Sequence, residues 1–334
     1  MKRREFITLL GGAAAWPLTA RAQQPPKVKR IAMVHPAEKV GNMTISGRPA
    51  FRAFFEELNR LGYVEGQNLV VERYSGEGRI DHYAELAREI VNTHPDLIIL
   101  MSGLLASHFK LATTTIPIVT TTSDPIVAGL VPSLAHPGGN ITGFSVDAGI
   151  QIWGKRLGLL IEATPKHSNT RFLASQSLWE RHEGTAVQQA ARQAGIPLAG
   201  ALLGSPVNEA AYQHVFASMQ QERVDALVVS DEAEHITNRV VLVELAAKSR
   251  IPAIYPYREF VDVGGLMAYS VDLGDTFRQF ADTVDKILLK GANPGDIPFF
   301  QQTKFELIIN LKTAKTLGLE MPAALVARAD EVIE

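Results

Sequence analysis

The residues of this chain whose types and neighbours suit chemistry on a small charged molecule are Ser102-Gly103, Asp124, Asp231 and Arg258. Ser102-Gly103 opens a helix-periodic run, so its amides and hydroxyl can hold a carboxylate or simply cap the helix. Asp124 stands before Pro125 just past a β-rich run, where it can pair with an ammonium group or close an Asp-Pro turn. Arg258 can clamp a carboxylate through two N–H groups or pair with its neighbour Glu259. Trp179 can stack on an apolar or aromatic solute, or pack into the core. Bond-making constellations are missing. Gly143-Phe144-Ser145 continues into Val146-Asp147, so there is no nucleophile elbow. His182-Glu183 has no second histidine in reach, and no two of the nine histidines are four apart. GEG at 76–78 lacks a third glycine, and no phosphate-binding loop occurs. No catalytic residue, metal or cofactor is expected.

These residues need elements to position them. From Val28 onward short β-rich runs alternate with helical patterns, which argues for an α/β chain with parallel strands. VKRIAMV (28–34), NLVVERY (68–74), DLIIL (96–100) and PIVTT (117–121) read as strands of a first half. Phe51, Phe54, Phe55, Leu58 and Leu61 mark one apolar helical face ending at Gly62, and Asp81 is placed to cap a helix over 81–93. A third helix falls near 104–113. The second half repeats the cycle, with helices near 150–161, 179–194, 208–221, 234–249 and 274–289. Its strands are RFLAS (171–175), PLAGALL (197–203), ALVVS (226–230), AIYPY (253–257), GLMAYS (265–270) and KFELIIN (304–310). An internal echo supports two similar lobes. Ile116-Pro117 and Ile251-Pro252 each open a strand, followed at equal spacings by Asp124 and Glu259 and then by Gly129 and Gly264. Both acidic residues then fall at carboxyl ends of strands, where α/β sheets bind ligands.

The first 22 residues combine Lys2-Arg3-Arg4, an apolar run from Phe6 to Leu18, and Ala20-Arg21-Ala22 as an A-x-A site. That order reads as an export leader, with cleavage expected near Ala22-Gln23 and a periplasmic location. Arg3-Arg4 followed by Glu5-Phe6-Ile7 fits the twin-arginine type. Removal of the leader takes four basic and one acidic residue from totals of 33 and 35, giving a net charge of −5. Nothing in that balance suggests nucleic acid or an anionic membrane as partner. The absence of cysteine excludes disulfides, thiolate metal sites and a lipid-modified N-terminal cysteine. No later apolar run approaches the length of a membrane span.

Several stretches are specific in both order and spacing: GYVEGQNLVVERYSGEGRIDHYAELAREIV (62–91), ATTTIPIV (112–119), DPIVAGLVPSLAHPGGNITG (124–143), PAIYPYREFVDVGGLMAYS (252–270) and TKFELIINLKTAKTLGL (303–319). Together they resemble the solute-binding components of bacterial ABC importers, in the branch typified by tryptophan- and tyrosine-binding proteins. The resemblance implies a type I periplasmic-binding-protein fold, two Rossmann-like α/β lobes with parallel sheets joined by crossover strands, with the solute in the cleft between them. The expected division is 1–22 as leader, 28–144 with 268–300 as lobe one, and 145–267 with 301–334 as lobe two. The turns Met101-Ser102-Gly103-Leu104 and Ala174 to Trp179 depart from the branch's pattern at the expected cleft edge, so the solute does not carry over with the fold.

Strand-end loops supply such a cleft. Lobe one is expected to contribute from His35 to Ser46, from Ser102-Gly103 and from Thr120 to Asp124. Lobe two contributes Gln176 to Trp179, Asp231 and Tyr257-Arg258-Glu259. The ligand-binding set is therefore Ser46, Ser102, Gly103, Thr122, Asp124, Gln176, Trp179, Asp231, Tyr257 and Arg258. Its mixture of donors and carboxylates suits an amino-acid-like or aromatic carboxylate solute, captured by a monomer and passed to ABC permease subunits in the inner membrane. The alternatives are a secreted hydrolase on the same scaffold and a ligand-binder that presents to a sensory receptor.

Overall fold

The computed structural model describes residues 28–146, 151–164 and 168–334, so the leader lies outside the described residues. In the first half β1 (Lys29–His35), α1 (Pro49–Arg60), β2 (Leu69–Ser75), α2 (Tyr83–Asn92), β3 (Leu97–Leu100), α3 (Gly103–Ala112), β4 (Ile118–Thr122) and β5 (Ile141–Ser145) follow in order. The second half begins with α4 (Gln151–Ala163), β6 (Thr170–Ser175), α5 (Gln176–Trp179), α6 (His182–Gln193), β7 (Leu198–Leu203), α7 (Glu209–Gln221) and β8 (Ala226–Val229). Next come α8 (Ala233–Thr237), α9 (Arg239–Ser249), β9 (Ala253–Tyr255), α10 (Arg258–Val261), β10 (Met267–Ser270) and α11 (Leu273–Leu288). The chain closes with β11 (Phe300–Gln301), β12 (Glu306–Asn310), α12 (Leu311–Leu317), α13 (Ala323–Val326) and β13 (Glu331–Ile333).

Two sheets result, ordered β11-β5-β4-β3-β1-β2 and β13-β12-β10-β9-β8-β6-β7. Every strand pair is parallel except β10 with β12. The central runs LIIL of β3 and ALVV of β8 are buried throughout, as strands covered by helices on both faces must be. Helix α1 buries Phe51, Phe54, Phe55 and Leu58, the face its spacing predicts. It packs along α11, with Phe51 edge-on to Phe277 at 5.9 Å and Phe280 stacked on Phe144 at 5.2 Å. In the second lobe Trp153 of α4 meets Phe172 of β6 edge-on at 5.1 Å.

The internal echo is structural. The carbonyl of Pro117 accepts from Ile98 of β3, and that of Pro252 accepts from Leu227 of β8, the corresponding strand of the other sheet. Gly129 and Gly264 both take positive φ, 66° and 103°. The chain passes between the sheets three times, after β5, after β10 and after β11. Three edges of the expected division differ. Strand β10 bonds to β9 and β12 and so belongs to the second lobe, while β5 runs to Ser145 and β11 to Gln301 in the first. The crossover therefore comes after Ser270, residues 268–270 leave lobe one, and Ser145 and Gln301 join it.

Three local expectations change. The helix expected over 179–194 is α6, which starts at His182, and an unexpected short helix precedes it: Ser175 Oγ accepts from the Leu178 amide to start α5, and the chain turns before α6. The helix expected over 234–249 breaks at Asn238, whose side chain donates to the Glu234 carbonyl and ends α8. Helix α2 begins at Tyr83 without a side-chain cap, so Asp81 does not serve it.

Candidate functional site

A cleft of about 400 Å³ lies between the lobes, lined by the strand-end loops of both sheets. On the lobe-one side β1 delivers a buried His35 whose Nδ1 accepts from the amides of Ala37 and Glu38 at 3.1 and 2.8 Å. Burial, reinforced by the nearby Arg48 charge, holds its pKa well below the ordinary histidine value. Arg48 stands at the start of α1, with Nε 3.0 Å from Glu38 Oε2 and its guanidinium 4.8 Å over the Phe51 ring. Burial pulls its pKa down from the ordinary value, while the Glu38 carboxylate opposes that pull. Beyond β3, Ser102 and Gly103 border the cleft, and the Ser102 hydroxyl does not cap α3. A Cβ on Gly103 would sit 2.4 Å from Thr122 Oγ1, so only glycine lets α3 approach the end of β4 this closely.

The lobe-two side carries four carboxylates, with Arg181 and His182 also on its lining. Past β8 come Asp231, Glu232 and Glu234, all lining the cleft with Glu183 of α6. Burial would raise Glu232, but the His235 ring and the Ser175 amide overcome it and hold its pKa down to about 2. Glu232 Oε2 accepts from the Ser175 amide and from the Ser230 hydroxyl, each at 2.8 Å. Burial and the adjacent Glu232 charge push Glu234 the other way, up to about 6. Tyr257 donates its hydroxyl to the Asp231 carbonyl at 3.2 Å and fixes that loop. Between the poles the lining is apolar, including Ile80, Leu104, Val146, Leu178 and Phe277.

The lobes touch directly across this space. Tyr83 donates to Glu234 Oε1 at 2.9 Å, Ser123 donates to Asp231 Oδ2 at 2.7 Å, and the Val207 amide donates to the Gly78 carbonyl at 3.1 Å. The two walls are therefore drawn together, as in the closed form of a hinged binder.

Of the residues named from sequence, Ser102, Gly103, Thr122, Asp231 and Tyr257 line the cleft. The other five lie outside that lining. Ser46 is exposed on its loop. Asp124 Oδ1 accepts from the amides of Ile126 and Val127 at 2.9 and 3.0 Å, the turn-closing role of an Asp-Pro. Gln176 is exposed and donates to Glu180 at 2.7 Å. Trp179 packs on Phe172 with ring centroids 6.0 Å apart. Arg258 grips Glu331 with both terminal nitrogens, at 2.5 and 2.7 Å, and Asp262 with Nε at 3.3 Å. The charged lining residues Arg48, Arg181, Glu183, Glu232 and Glu234 stand outside the sequence-derived set. The run Asp231-Glu232-Ala233-Glu234 directly after a strand is an available signal for Glu232 and Glu234. Among the described residues no group of side chains could hold a metal ion.

The family model described as ABC transporter substrate binding protein matches residues 48–333. A tyrosine-binding protein of Clostridioides difficile (strain R20291) is 26% identical over 286 residues, covering 82% of this chain and 78% of that protein. Among solved structures, a conserved domain protein from Vibrio cholerae superposes with a TM-score of 0.78 at 23% identity, covering 92% of this chain and all of that one. An ABC domain from Streptococcus pneumonia in complex with L-Trp gives 0.76 at 24% identity, covering 91% and 99%. These likenesses fix a two-lobed type I periplasmic-binding-protein fold. With an opposed pair of lobes around a cleft and a family match that spans nearly all of the described chain, the protein belongs to the ABC transporter substrate-binding proteins.

Proposed function

We propose that this protein, exported to the periplasm with its leader cut near Ala22-Gln23, captures a small aromatic amino acid or a close relative as a monomer. It hands the solute unchanged to the permease of an ABC importer. The observation that carries the reading is the opposition of cleft walls, with the donors His35 and Arg48 on lobe one and, on lobe two, four carboxylates that outnumber the Arg181 and His182 beside them. A zwitterion lying across such a gap is satisfied at both ends only when the lobes close, so binding shifts the population toward the closed form. The apolar middle, with Phe277 and Leu178, suits a hydrophobic side chain, and the volume is in the range of small-molecule sites. The similarity to a tyrosine-binding protein and to a tryptophan complex points the same way.

A thermal-shift screen of amino acids and aromatic carboxylates tests this. A ligand at a hundred times its Kd adds about 2.7 kcal/mol of stability, and the bound form should show a smaller radius of gyration by X-ray scattering. Mass spectrometry should recover the ligand unchanged. Conversion of the ligand would reinstate the hydrolase reading, and stabilisation by sugars alone would remove the amino-acid one.

A further inference from the structure

His35 and Arg48 meet in an arrangement that neither satisfies for the other. The His35 Nδ1 lone pair accepts from two backbone amides, so the neutral ring carries its proton on Nε2. That Nε2 lies 3.5 Å from Arg48 Nη2, which is also a donor. Two N–H groups cannot bond one another, and both require an oxygen acceptor. The Nε edge of Arg48 is turned to Glu38, which leaves Nη2 on the side of the histidine. The arginine side chain is 9% exposed and His35 only 1%, yet both border the cleft.

A carboxylate is planar, carries two acceptor oxygens, and can take an N–H from each residue. From this juxtaposition we propose that His35 Nε2 and Arg48 Nη2 form the subsite for the solute's carboxylate, an inference that rests on the amino-acid reading above. Glu38 already offsets much of the guanidinium charge, so the site suits a monoanion rather than a phosphate dianion. The ammonium end then faces the opposite wall, toward Asp231 and Glu183.

Calorimetric titration of the whole mature protein with L-tyrosine, L-leucine, 3-phenylpropionate, tyramine and isoamylamine tests the assignment. L-tyrosine should bind at least ten times more tightly than tyramine, which lacks the carboxylate. In His35→Asn the amide oxygen replaces Nδ1 as acceptor for the two backbone amides, while the Nε2 donor is lost. That variant should bind L-tyrosine and 3-phenylpropionate about tenfold more weakly and tyramine unchanged. Removing Arg48 alone leaves the buried Glu38 carboxylate without a counter-charge, with only the neutral Asn42 amide on its Oε1, so the double variant Arg48→Met/Glu38→Gln is the second probe, and it should erase the preference for tyrosine over tyramine. Equal binding of tyrosine and tyramine to the unaltered protein overturns the subsite while leaving an aromatic solute standing. So does an equal loss of both ligands in His35→Asn. Binding of L-leucine but not L-tyrosine removes the aromatic reading, and the subsite then stands if leucine exceeds isoamylamine tenfold. Failure of every carboxylate probe at millimolar concentration overturns it.

Discussion

The lobe-one wall of the cleft offers nitrogen donors from His35 and Arg48, whereas carboxylates predominate on the lobe-two wall, where Glu183, Asp231, Glu232 and Glu234 stand with Arg181 and His182. A second contrast sharpens the first. Arg156 of lobe two is also buried, but it lies over Trp153 and donates to the carbonyls of Tyr269 and Pro256, which anchors it inside one lobe. Arg48 faces the gap instead. Buried charge supports the fold when its partners belong to the same lobe. It can also serve recognition when, as at Arg48, one edge pairs within the lobe and the other turns its N–H groups to the gap, because donors left unmet in a desolvated site are costly.

The largest effect expected from breaking the acidic wall is at Asp231. Asp231→Asn can still accept from Ser123 but loses the charge facing the solute's ammonium. A charge-assisted bond contributes about 1.5–3 kcal/mol, so affinity for an amino acid should fall roughly ten- to hundredfold. A matched acid lacking the ammonium should change little. If both ligands lose equally in calorimetry, Asp231 holds the loop and not the solute.

Gly78→Ala attacks the closure rather than either wall. A Cβ there would lie 2.7 Å from the Val207 carbonyl oxygen across the lobe boundary, and the φ of 72° is itself unfavourable for alanine. Affinity should drop by about tenfold, with the ligand-bound form measurably less compact in scattering. An unchanged radius and Kd would mean that this contact is not needed for closing.

A smaller effect comes from pH. Glu234 is enclosed by Tyr83, Tyr212, Glu232 and His235, and burial with the Glu232 charge raises it from 4.5 to about 6 in this closed form. If opening returns it to its ordinary value, closing takes up a proton, so binding strengthens as pH falls. From pH 7.5 to 5.5 the gain is about fourfold, and Glu234→Gln should flatten the profile. The same sign applies to folding. Stability linked to Glu234 rises as pH falls through 6 toward 4.5, while that linked to Glu232, held near 2, is lost as pH falls below 4.5. Calorimetry in buffers of different ionisation enthalpy would detect the proton directly. A flat profile in the unaltered protein would show that Glu234 keeps its protonation state on closing.

The smallest effect is expected at Arg258. Its ion pairs with Glu331 and Asp262 are half exposed, so Arg258→Ala should cost about 1 kcal/mol or less by urea unfolding and leave affinity alone. A tenfold loss of affinity would restore the clamp role read from sequence.

The lobes were legible because their signals are local. A run such as LIIL can only be a buried strand, and the spacing of Phe51, Phe54, Phe55 and Leu58 can only bury one helical face. The cleft was half legible, since strand ends point to Ser102, Thr122 and Asp231 wherever the sheets sit. Trp179 and Arg258 also flank strand ends, but one turns into the lobe-two core and the other toward β13, which no spacing reports. Arg48 was hidden for the opposite reason. A basic residue before Pro49 reads as a solvated helix start until α11 and the other lobe are folded against it. The crossing point was less legible: GLMAYS reads as a strand of the second half, but that it stays paired to Ser270 before the chain crosses depends on β12, far along the chain.

The three crossings also govern how the molecule comes into being. The first lobe lacks the helix that covers Phe51, Phe54 and Phe144 until α11 has been synthesised, and it lacks its edge strand until Gln301. The second lobe waits still longer, for β12 and β13. Neither half can therefore finish as the nascent chain emerges, and a ribosome-stalled fragment ending near 270 would present a bare aromatic face. Two lobes that face each other across the cleft are thus completed together, in one late stretch of synthesis.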